Sequence, residues 1–225
     1  MTTIRAVLFD AGGVLVLPDP ETLRERLARF GASEDLALYE RAHFAGQRAM
    51  HLEATERDNW RTYDRGFAAA VGVPADLVSA AAETLRGAYV PRLWRFPRAD
   101  ALSALSRLMA AGVPVGVVSN AEGQIEEVLA EVGLGRVGAP FVCVVDSFVV
   151  GVSKPDPAIF EHALPHFGAI QRAEIAYVGD SVRNDVVGAK AAGLTPLHLD
   201  PHDDFPDVTH ARIASINELV DRILR

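Results

Sequence analysis

Residues 4–15 read IRAVLFDAGGVL, a short apolar run that stops at Asp10 and is followed by two glycines. Its largely continuous apolar character is typical of a strand that is buried on both faces. Open parallel sheets bind their ligands at the carboxyl ends of the strands. Asp10 stands at that end of the predicted strand, and it is therefore the first candidate for a functional residue.

Short apolar runs recur along the chain and alternate with helical patterns. Strands are predicted at 4–9, 113–118, 141–145, 175–178 and 196–199. Helices are predicted at 100–111, 122–132, 158–167 and 182–192, and a last one begins at Ser215, whose spacing to Glu218 is typical of a capping box. This alternation predicts an α/β fold in which helices cover both faces of a parallel sheet.

Residues 18–96 interrupt the alternation, because they contain several helical stripes and no convincing strand. Trp60, Tyr63 and Phe67 follow one another at helical spacing, and we interpret this stripe as buried core. We therefore predict an all-helical domain at 18–96, inserted into an α/β core that is formed by 1–17 and 97–225.

The composition limits the classes of partner. The 225 residues include 30 acids and 22 bases, and the net charge of −8 disfavours the basic surface that nucleic-acid binding needs. No apolar run is long enough to cross a bilayer, and the N-terminus lacks the pattern of a signal peptide. We expect a cytoplasmic protein without nucleic-acid or membrane partners, and both a monomer and a homodimer remain open.

Several chemically active side chains have an ordinary structural interpretation. Cys143, the single cysteine, lies in an apolar run and is predicted to fill the core, which fits a reducing compartment. The seven histidines show no metal-ligand spacing and are interpreted as surface residues. Arg41, Arg48 and Arg57 are interpreted as solvated helix arginines, one of which could reach over a site and select the substrate.

Polar residues follow the first four predicted strands of the core. They are Asp10 after the first strand, Ser119 and Asn120 after the second, Lys154 after the third, and Asp180 and Asp185 after the fourth. A parallel sheet would bring them to one crevice. Carboxylates bind Mg²⁺, a lysine and a hydroxyl hold phosphate oxygens, and a carboxylate can attack phosphorus to give an acyl phosphate. The pattern therefore favours phosphoryl chemistry.

The same residues resemble the motifs of the haloacid dehalogenase superfamily, in the branch with a helical cap inserted after the first motif. The matching stretches are FDAGGVL at 9–15, VSN at 118–120, SKPDP at 153–157, GDSVRND at 179–185 and GAKAAG at 188–193. The resemblance implies a Rossmann-like parallel sheet core with helices on both faces, plus an inserted all-helical cap domain.

The resemblance also implies roles around the nucleophile. Asp10 would be the nucleophile and a metal ligand, and Asp180 would be the second metal carboxylate. Gly12 would offer its carbonyl to the metal. Asp185 would ligate the metal or orient Lys154 from nearby. The implied cofactor is Mg²⁺.

A second set of roles concerns the phosphate group. Ser119 and the backbone N–H of Asn120 would hold it, and Lys154 would balance the charge of the nucleophile and of the transferring group. The implied activity is hydrolysis of a small phosphorylated metabolite through an aspartyl-phosphate intermediate.

Gly12 departs from the family pattern. Phosphatases of this superfamily usually have an aspartate there, which protonates the leaving oxygen and later deprotonates the attacking water. General acid–base help is typically worth about 10²–10⁴-fold in rate. We therefore expect p-nitrophenyl phosphate, which has a good leaving group, to be hydrolysed faster than alkyl phosphates.

This departure leaves two alternatives open. The 2-haloacid dehalogenases of the superfamily also lack that aspartate, need no metal and attack carbon. They usually have uncharged residues where this chain has Asp180, and acids beside Asp10 without a cation would repel one another. A metal-dependent phosphatase is therefore favoured over a dehalogenase. The other alternative is a catalytically impaired protein that binds a phosphorylated ligand.

Overall fold

The protein is described by a computed structural model over residues 3–53 and 60–225. Its strands are β1 (Ala6–Phe9), β2 (Val16–Pro18), β3 (Trp94–Pro97), β4 (Val115–Ser119), β5 (Arg136–Val137), β6 (Pro140–Asp146), β7 (Ile175–Gly179), β8 (Thr195–Leu199) and β9 (Arg212–Ile213). Seven of them form one parallel sheet in the order β5-β6-β4-β1-β7-β8-β9, while β2 and β3 pair antiparallel with each other.

The α-helices lie between these strands, except for the last, which follows β9. They are α1 (Pro20–Leu27), α2 (Ala37–Glu53), α3 (Trp60–Ala70), α4 (Val78–Arg86), α5 (Ala101–Ala110), α6 (Ile125–Glu131), α7 (Ser147–Val150), α8 (Ala158–Glu161), α9 (Gly188–Ala191) and α10 (Ile216–Ile223). The predicted capping position is confirmed at α10, where the Ser215 hydroxyl accepts from the N–H of Glu218 at 3.1 Å. Within the described ranges, no helix has both the length and the apolar character that crossing a membrane requires.

The parallel sheet, with helices packed on both faces, confirms the predicted α/β fold, and its central strand β1 is completely buried. Its side chains alternate between two clusters, with Val7 and Phe9 on one face of the sheet and Ala6 and Leu8 on the other. Helices α5 and α10 contribute to the first cluster, and α8 and α9 contribute to the second. Cys143 belongs to the second cluster, as predicted, and its burial raises the pKa of the thiol to about 11.

Strand register brings the candidate residues to one edge of the sheet. Phe9 of β1 pairs with Val117 of β4 on one side and with Val178 of β7 on the other. β4 ends two residues after Val117 and β7 ends one residue after Val178. Asp10, Ser119 and Asp180 therefore lie at the same edge of the sheet. This convergence follows from topology alone.

The five predicted core strands are all present, with bounds that shift by one or two residues. The expectation of no strand in 18–96 was wrong at the ends of that segment, because β2 and β3 pair there. Each strand is short, and β3 is mostly exposed, so neither shows in the sequence the apolar pattern by which a strand is predicted. Their stability depends on the pairing between them, which a window of sequence does not reveal.

Helices α1 to α4 lie between β2 and β3 and pack around their own cluster. Leu27, Tyr63, Phe67 and Leu85 are completely buried in it. Trp60 does not share this burial, since 40% of its surface is exposed, and its interpretation as core was wrong. Helical spacing shows which residues share a face of a helix, but it does not show how much of that face the rest of the fold covers.

Candidate active site

The predicted site residues line one cavity at the carboxyl edge of the sheet. The cavity measures about 600 Å³ and its lining includes Asp10, Gly12, Ser119, Asn120, Lys154, Asp180 and Asp185. Residues from the helical segment line its other side, among them Gln47, Trp60, Arg86, Tyr89 and Trp94. The site therefore lies between the sheet edge and the inserted helices.

Lys154 is the centre of the polar network. Its Nζ lies 2.9 Å from Asp10 Oδ2 and 2.7 Å from Asp185 Oδ1. It also donates to the hydroxyl of Tyr177 at 2.8 Å. Burial alone would lower the pKa of Lys154, but Asp10 and Asp185 hold it above its usual value. The lysine is thus a fixed positive charge between two acids.

Tyr177 is a functional neighbour that sequence reasoning missed. It lies inside the buried strand β7, where an aromatic residue is expected as core, and its hydroxyl donates to the carbonyl of Val118 at 2.9 Å. The position of Asp185 is fixed from a second side, because its Oδ2 accepts from the N–H of Ser181 at 2.9 Å. Asp185 is thus held in contact with Lys154, an arrangement that agrees with one of the two roles expected for it.

Asn120 acts on Lys154 through its side chain. Its amide nitrogen donates to the carbonyl of Lys154 at 3.0 Å, and its amide oxygen accepts from the N–H of Lys154 at 2.8 Å. These reciprocal bonds fix the loop that carries the lysine. Phosphate binding by the backbone N–H of Asn120 stays a prediction.

The Asp10 carboxylate is held at both oxygens. Oδ2 pairs with Lys154, and Oδ1 accepts from the N–H of Ala11 at 2.7 Å. Burial raises the pKa of Asp10 to about 7; Lys154 opposes this shift, and the charges of Asp185 and Asp180 add to it. Burial is the largest of these effects, and it makes the charged form of Asp10 less favourable than it is in water.

Asp180 contacts two residues of α2. Its Oδ2 lies 2.6 Å from Nε2 of His43 and accepts from the amide of Gln47 at 2.9 Å. Burial alone would raise the pKa of Asp180, but the hydrogen bond and the charge of His43 hold it below its usual value. The helical segment is thereby joined directly to the acidic cluster.

The interpretation of all histidines as surface residues was wrong for His43 and His198, which are completely buried. Nδ1 of His43 lies 2.8 Å from the hydroxyl of Tyr63, and Nε2 of His198 lies 3.1 Å from the carbonyl of Asp180. No spacing in the sequence indicates these contacts, because they depend on how α2 packs against the sheet and on the place of β8 within it.

Gly13 permits this close approach. It has a φ of +77°, and a Cβ there would lie 2.2 Å from Oδ2 of Asp180 and 2.4 Å from Nε2 of His43. Both the backbone conformation and the space exclude a larger residue.

Gly12 lies under the indole of Trp94. A Cβ at this position would lie 3.3 Å from Cε3 and from Cζ3 of that ring. An acidic side chain at position 12 would therefore extend toward the aromatic ring of Trp94.

Two of the three arginines that could reach over the site pair with residues outside the cavity. Arg41 pairs with Asp204 at 2.6 Å and Arg48 with Asp207 at 3.4 Å, and neither lines the cavity. Arg57 lies outside the described residues. Arg86, at the end of α4, lines the cavity instead.

The acidic cluster fits a divalent cation. One carboxylate oxygen each from Asp10, Asp180 and Asp185 lies within 4.8 Å of the others. Carboxylate oxygens are the preferred protein ligands of Mg²⁺. A cation bound among these three carboxylates would add positive charge next to Asp10 and favour its ionised form.

Relatives of this chain include phosphatases. It is 38% identical to a haloacid dehalogenase-like hydrolase domain-containing protein from Bos taurus, over 40% of this chain and 37% of that protein. It is 35% identical to a phosphoserine phosphatase from Thermus thermophilus, over 47% of this chain and 40% of that protein. The chain thus spans less than half the length of these two relatives. A sesquiterpene phosphatase from Aspergillus oryzae is 26% identical over 88% of this chain and 91% of its own length.

Solved structures share the fold over the whole length. The hydrolase YfnB from Bacillus subtilis matches with a TM-score of 0.62 and 19% identity, over 98% of this chain and 99% of that one. A 2-haloacid dehalogenase from Pseudomonas syringae matches with a TM-score of 0.57 and 21% identity, over 99% and 98%.

The family model for haloacid dehalogenase-like hydrolases matches residues 4–193, a range that contains every predicted site residue. The sheet, the inserted helices and the edge residues agree with that match, and the chain is therefore an enzyme of the haloacid dehalogenase-like hydrolase family.

Proposed function

We propose that this enzyme is a Mg²⁺-dependent phosphomonoester hydrolase that acts on a small phosphorylated metabolite, with Asp10 as its nucleophile. The observation that carries the proposal is the buried cluster of Asp10, Asp180 and Asp185, in which Asp10 and Asp185 both pair with the ammonium group of Lys154. Such a cluster suits an anionic substrate only together with a cation, and phosphoryl transfer uses that combination.

The nucleophile is positioned by its two hydrogen bonds. Lys154 and the N–H of Ala11 fix the plane of the Asp10 carboxylate, so that one oxygen can attack phosphorus in line. A bond forms between this oxygen and phosphorus while the ester bond to the organic group breaks. Water then attacks the phosphorus of the aspartyl-phosphate, which releases phosphate and restores Asp10.

The phosphate group meets donors from the sheet edge. The hydroxyl of Ser119, the N–H of Asn120 and the ammonium group of Lys154 would bind its oxygens. Asp10, Asp180 and Asp185, with the carbonyl of Gly12, would hold Mg²⁺, which neutralises phosphate charge when bound. Because Gly12 carries no acid, the proton for the leaving oxygen must come from water, a residue of the helical segment or the substrate itself.

The charge of the site favours phosphatase chemistry over dehalogenation. A 2-haloacid is itself an anion, and three carboxylates with one lysine and no cation would repel it. Relatives named as phosphatases support the same choice. The likeness to dehalogenase structures concerns the fold alone.

A paired assay with Mg²⁺ and with EDTA tests this proposal. It follows phosphate release from a panel of phosphomonoesters and halide release from 2-chloropropionate. We expect phosphate release that requires Mg²⁺ and is lost in Asp10→Asn, while the exposed control Asp221→Asn retains it. Halide release without metal would overturn the proposal. No product in either assay, with phosphate binding intact, would identify an impaired ligand-binding protein.

A further inference from the structure

Part of the cavity lining is aromatic. Trp60, Tyr89 and Trp94 line it, and we call these three residues the aromatic wall. Val90 and Ile125 add apolar surface beside them. We call the part of the lining around Asp10 the polar end, and the part formed by the aromatic wall and these apolar neighbours the aromatic end.

The wall begins close to the nucleophile. Gly12 is two residues from Asp10, and a Cβ placed on it would lie 3.3 Å from the ring of Trp94. Trp60 and Tyr89 stand next to each other, with ring centroids 6.4 Å apart and planes inclined by 53°. An organic group attached to a phosphate at Asp10 would therefore meet ring surfaces.

The aromatic end offers no surplus positive charge. Among the described residues, the cations on the lining are Lys154, which belongs to the polar end, and Arg86. The guanidinium of Arg86 pairs with the buried carboxylate of Asp64 at 3.0 Å. Glu122 adds a negative charge to the lining. A second phosphate or a carboxylate on the substrate would find no unmatched partner there.

We propose that the cavity selects monophosphate esters whose organic group is an uncharged, flat aromatic ring that packs against Trp60, Tyr89 and Trp94. This inference rests on the proposed phosphatase function and names its substrate class. Aromatic rings gain more from such packing than puckered rings of equal carbon number, because offset and edge-to-face contacts between rings add to the area that is buried.

Two non-hydrolysable ligands of matched charge and carbon number test the ring preference. Benzylphosphonate carries a flat ring and cyclohexylmethylphosphonate a puckered one. The chain has two tryptophans, and both belong to the wall, so quenching of intrinsic fluorescence reports binding directly. We expect the benzyl compound to bind roughly tenfold more tightly, and a carboxylate added to its ring to weaken binding.

Two substitutions test whether the aromatic wall produces the preference for the benzyl compound. Trp60→Leu keeps apolar volume at a partly exposed position and should remove most of the tenfold difference, with Trp94 still reporting binding. Phe148→Leu is the matched control, because Phe148 is 74% exposed and lies outside the cavity lining, and it should keep the difference. Equal affinity of the two phosphonates in the unaltered enzyme, no binding of either, or a preference that survives Trp60→Leu would each overturn the inference.

Competition with inorganic phosphate separates this inference from the proposed function. If phosphate displaces both phosphonates but their affinities are equal, the ring preference is wrong, while phosphate binding at the polar end is supported. If the benzyl compound binds more tightly but phosphate does not displace it, the polar end does not bind phosphate and both proposals fall.

Discussion

Gly12 is the residue at which catalysis departs from the expected pattern. We predict that Gly12→Asp raises the rate on alkyl phosphates about 10- to 10²-fold, because it restores an acid for the leaving oxygen. Trp94 must move by a few tenths of an ångström to admit the new side chain, and its half-exposed position at the edge of the helical segment allows this. Measuring kcat/KM for alkyl phosphates and for p-nitrophenyl phosphate checks the prediction, and the gain should be larger for the alkyl esters.

Gly12→Asn is the matched control, because asparagine has about the same size as aspartate but its amide cannot act as an acid. It should leave the rate on alkyl phosphates unraised. If both variants gained equally, or if neither gained, the missing acid would not be what limits turnover.

Asp200 is the residue from which we expect a pH dependence of stability. Its carboxylate accepts from Arg212 at 2.6 Å and from the N–H of Asp204 at 2.8 Å. Burial alone would raise its pKa, but these bonds, with Arg212 first, hold the pKa of Asp200 below 3.8. A lowered folded-state pKa stabilises the protein above the unfolded value, and the contribution is lost as the pH falls through the folded value.

Asp200→Asn should therefore lower the free energy of unfolding by about 1–2 kcal/mol at pH 7. It should also flatten the loss of stability below about pH 4. Urea unfolding across this pH range provides the measurement, with Asp221→Asn as the exposed control. A variant whose stability falls as steeply with acid as that of the unaltered protein would show that Asp200 contributes nothing to this dependence.

At the scale of elements, α2 joins the helical segment to the core through several polar contacts, one of which pairs Glu40 with Arg98 at 2.7 Å. It brings His43 and Gln47 to Asp180, and it brings Arg41 and Arg48 to the loop that follows β8. Arg41 meets Asp204 with two parallel hydrogen bonds of 2.6 and 2.7 Å. This paired geometry makes it the strongest candidate for an ion pair that holds α2 against the core.

A double-mutant cycle of Arg41→Ala and Asp204→Ala measures that pair. We expect a coupling free energy of about 0.2–1 kcal/mol that shrinks in high salt, because partly exposed ion pairs are screened. The Arg107–Asp221 pair, which lies outside the helical segment, is the control for general salt effects. Additive effects of the two Arg41 and Asp204 substitutions would contradict a role for this pair in docking α2.

The sequence predicts the elements better than their contacts. Asp10, Ser119 and Asp180 could be placed together because each follows a strand of one parallel sheet, and parallel strands share an edge. His43 could not be placed, because a helical pattern shows that α2 has a buried face without showing which neighbour covers it. Tyr177 was missed for a related reason, since a tyrosine in a buried strand is ordinarily core.

At the scale of the whole molecule, binding of a cation should increase the stability of the folded protein. A ligand that binds only the folded state stabilises it by about 2.7 kcal/mol at 100 times its dissociation constant. Saturating Mg²⁺ should therefore raise the Tm, and Asp180→Asn should remove most of the shift. Calorimetry or thermal unfolding with and without Mg²⁺ checks this, with Asp221→Asn as the control. An equal shift in Asp180→Asn would place the ion elsewhere.

The account as a whole requires that Asp10 becomes phosphorylated during turnover. Acid quenching of the enzyme during hydrolysis of a radiolabelled phosphomonoester with Mg²⁺, followed by peptide mapping, tests this directly. We predict a label on the peptide that contains Asp10, released by hydroxylamine as expected for an acyl phosphate, and absent from Asp10→Asn and from samples with EDTA. Turnover with the label on another residue, or undiminished turnover by Asp10→Asn, would contradict the account.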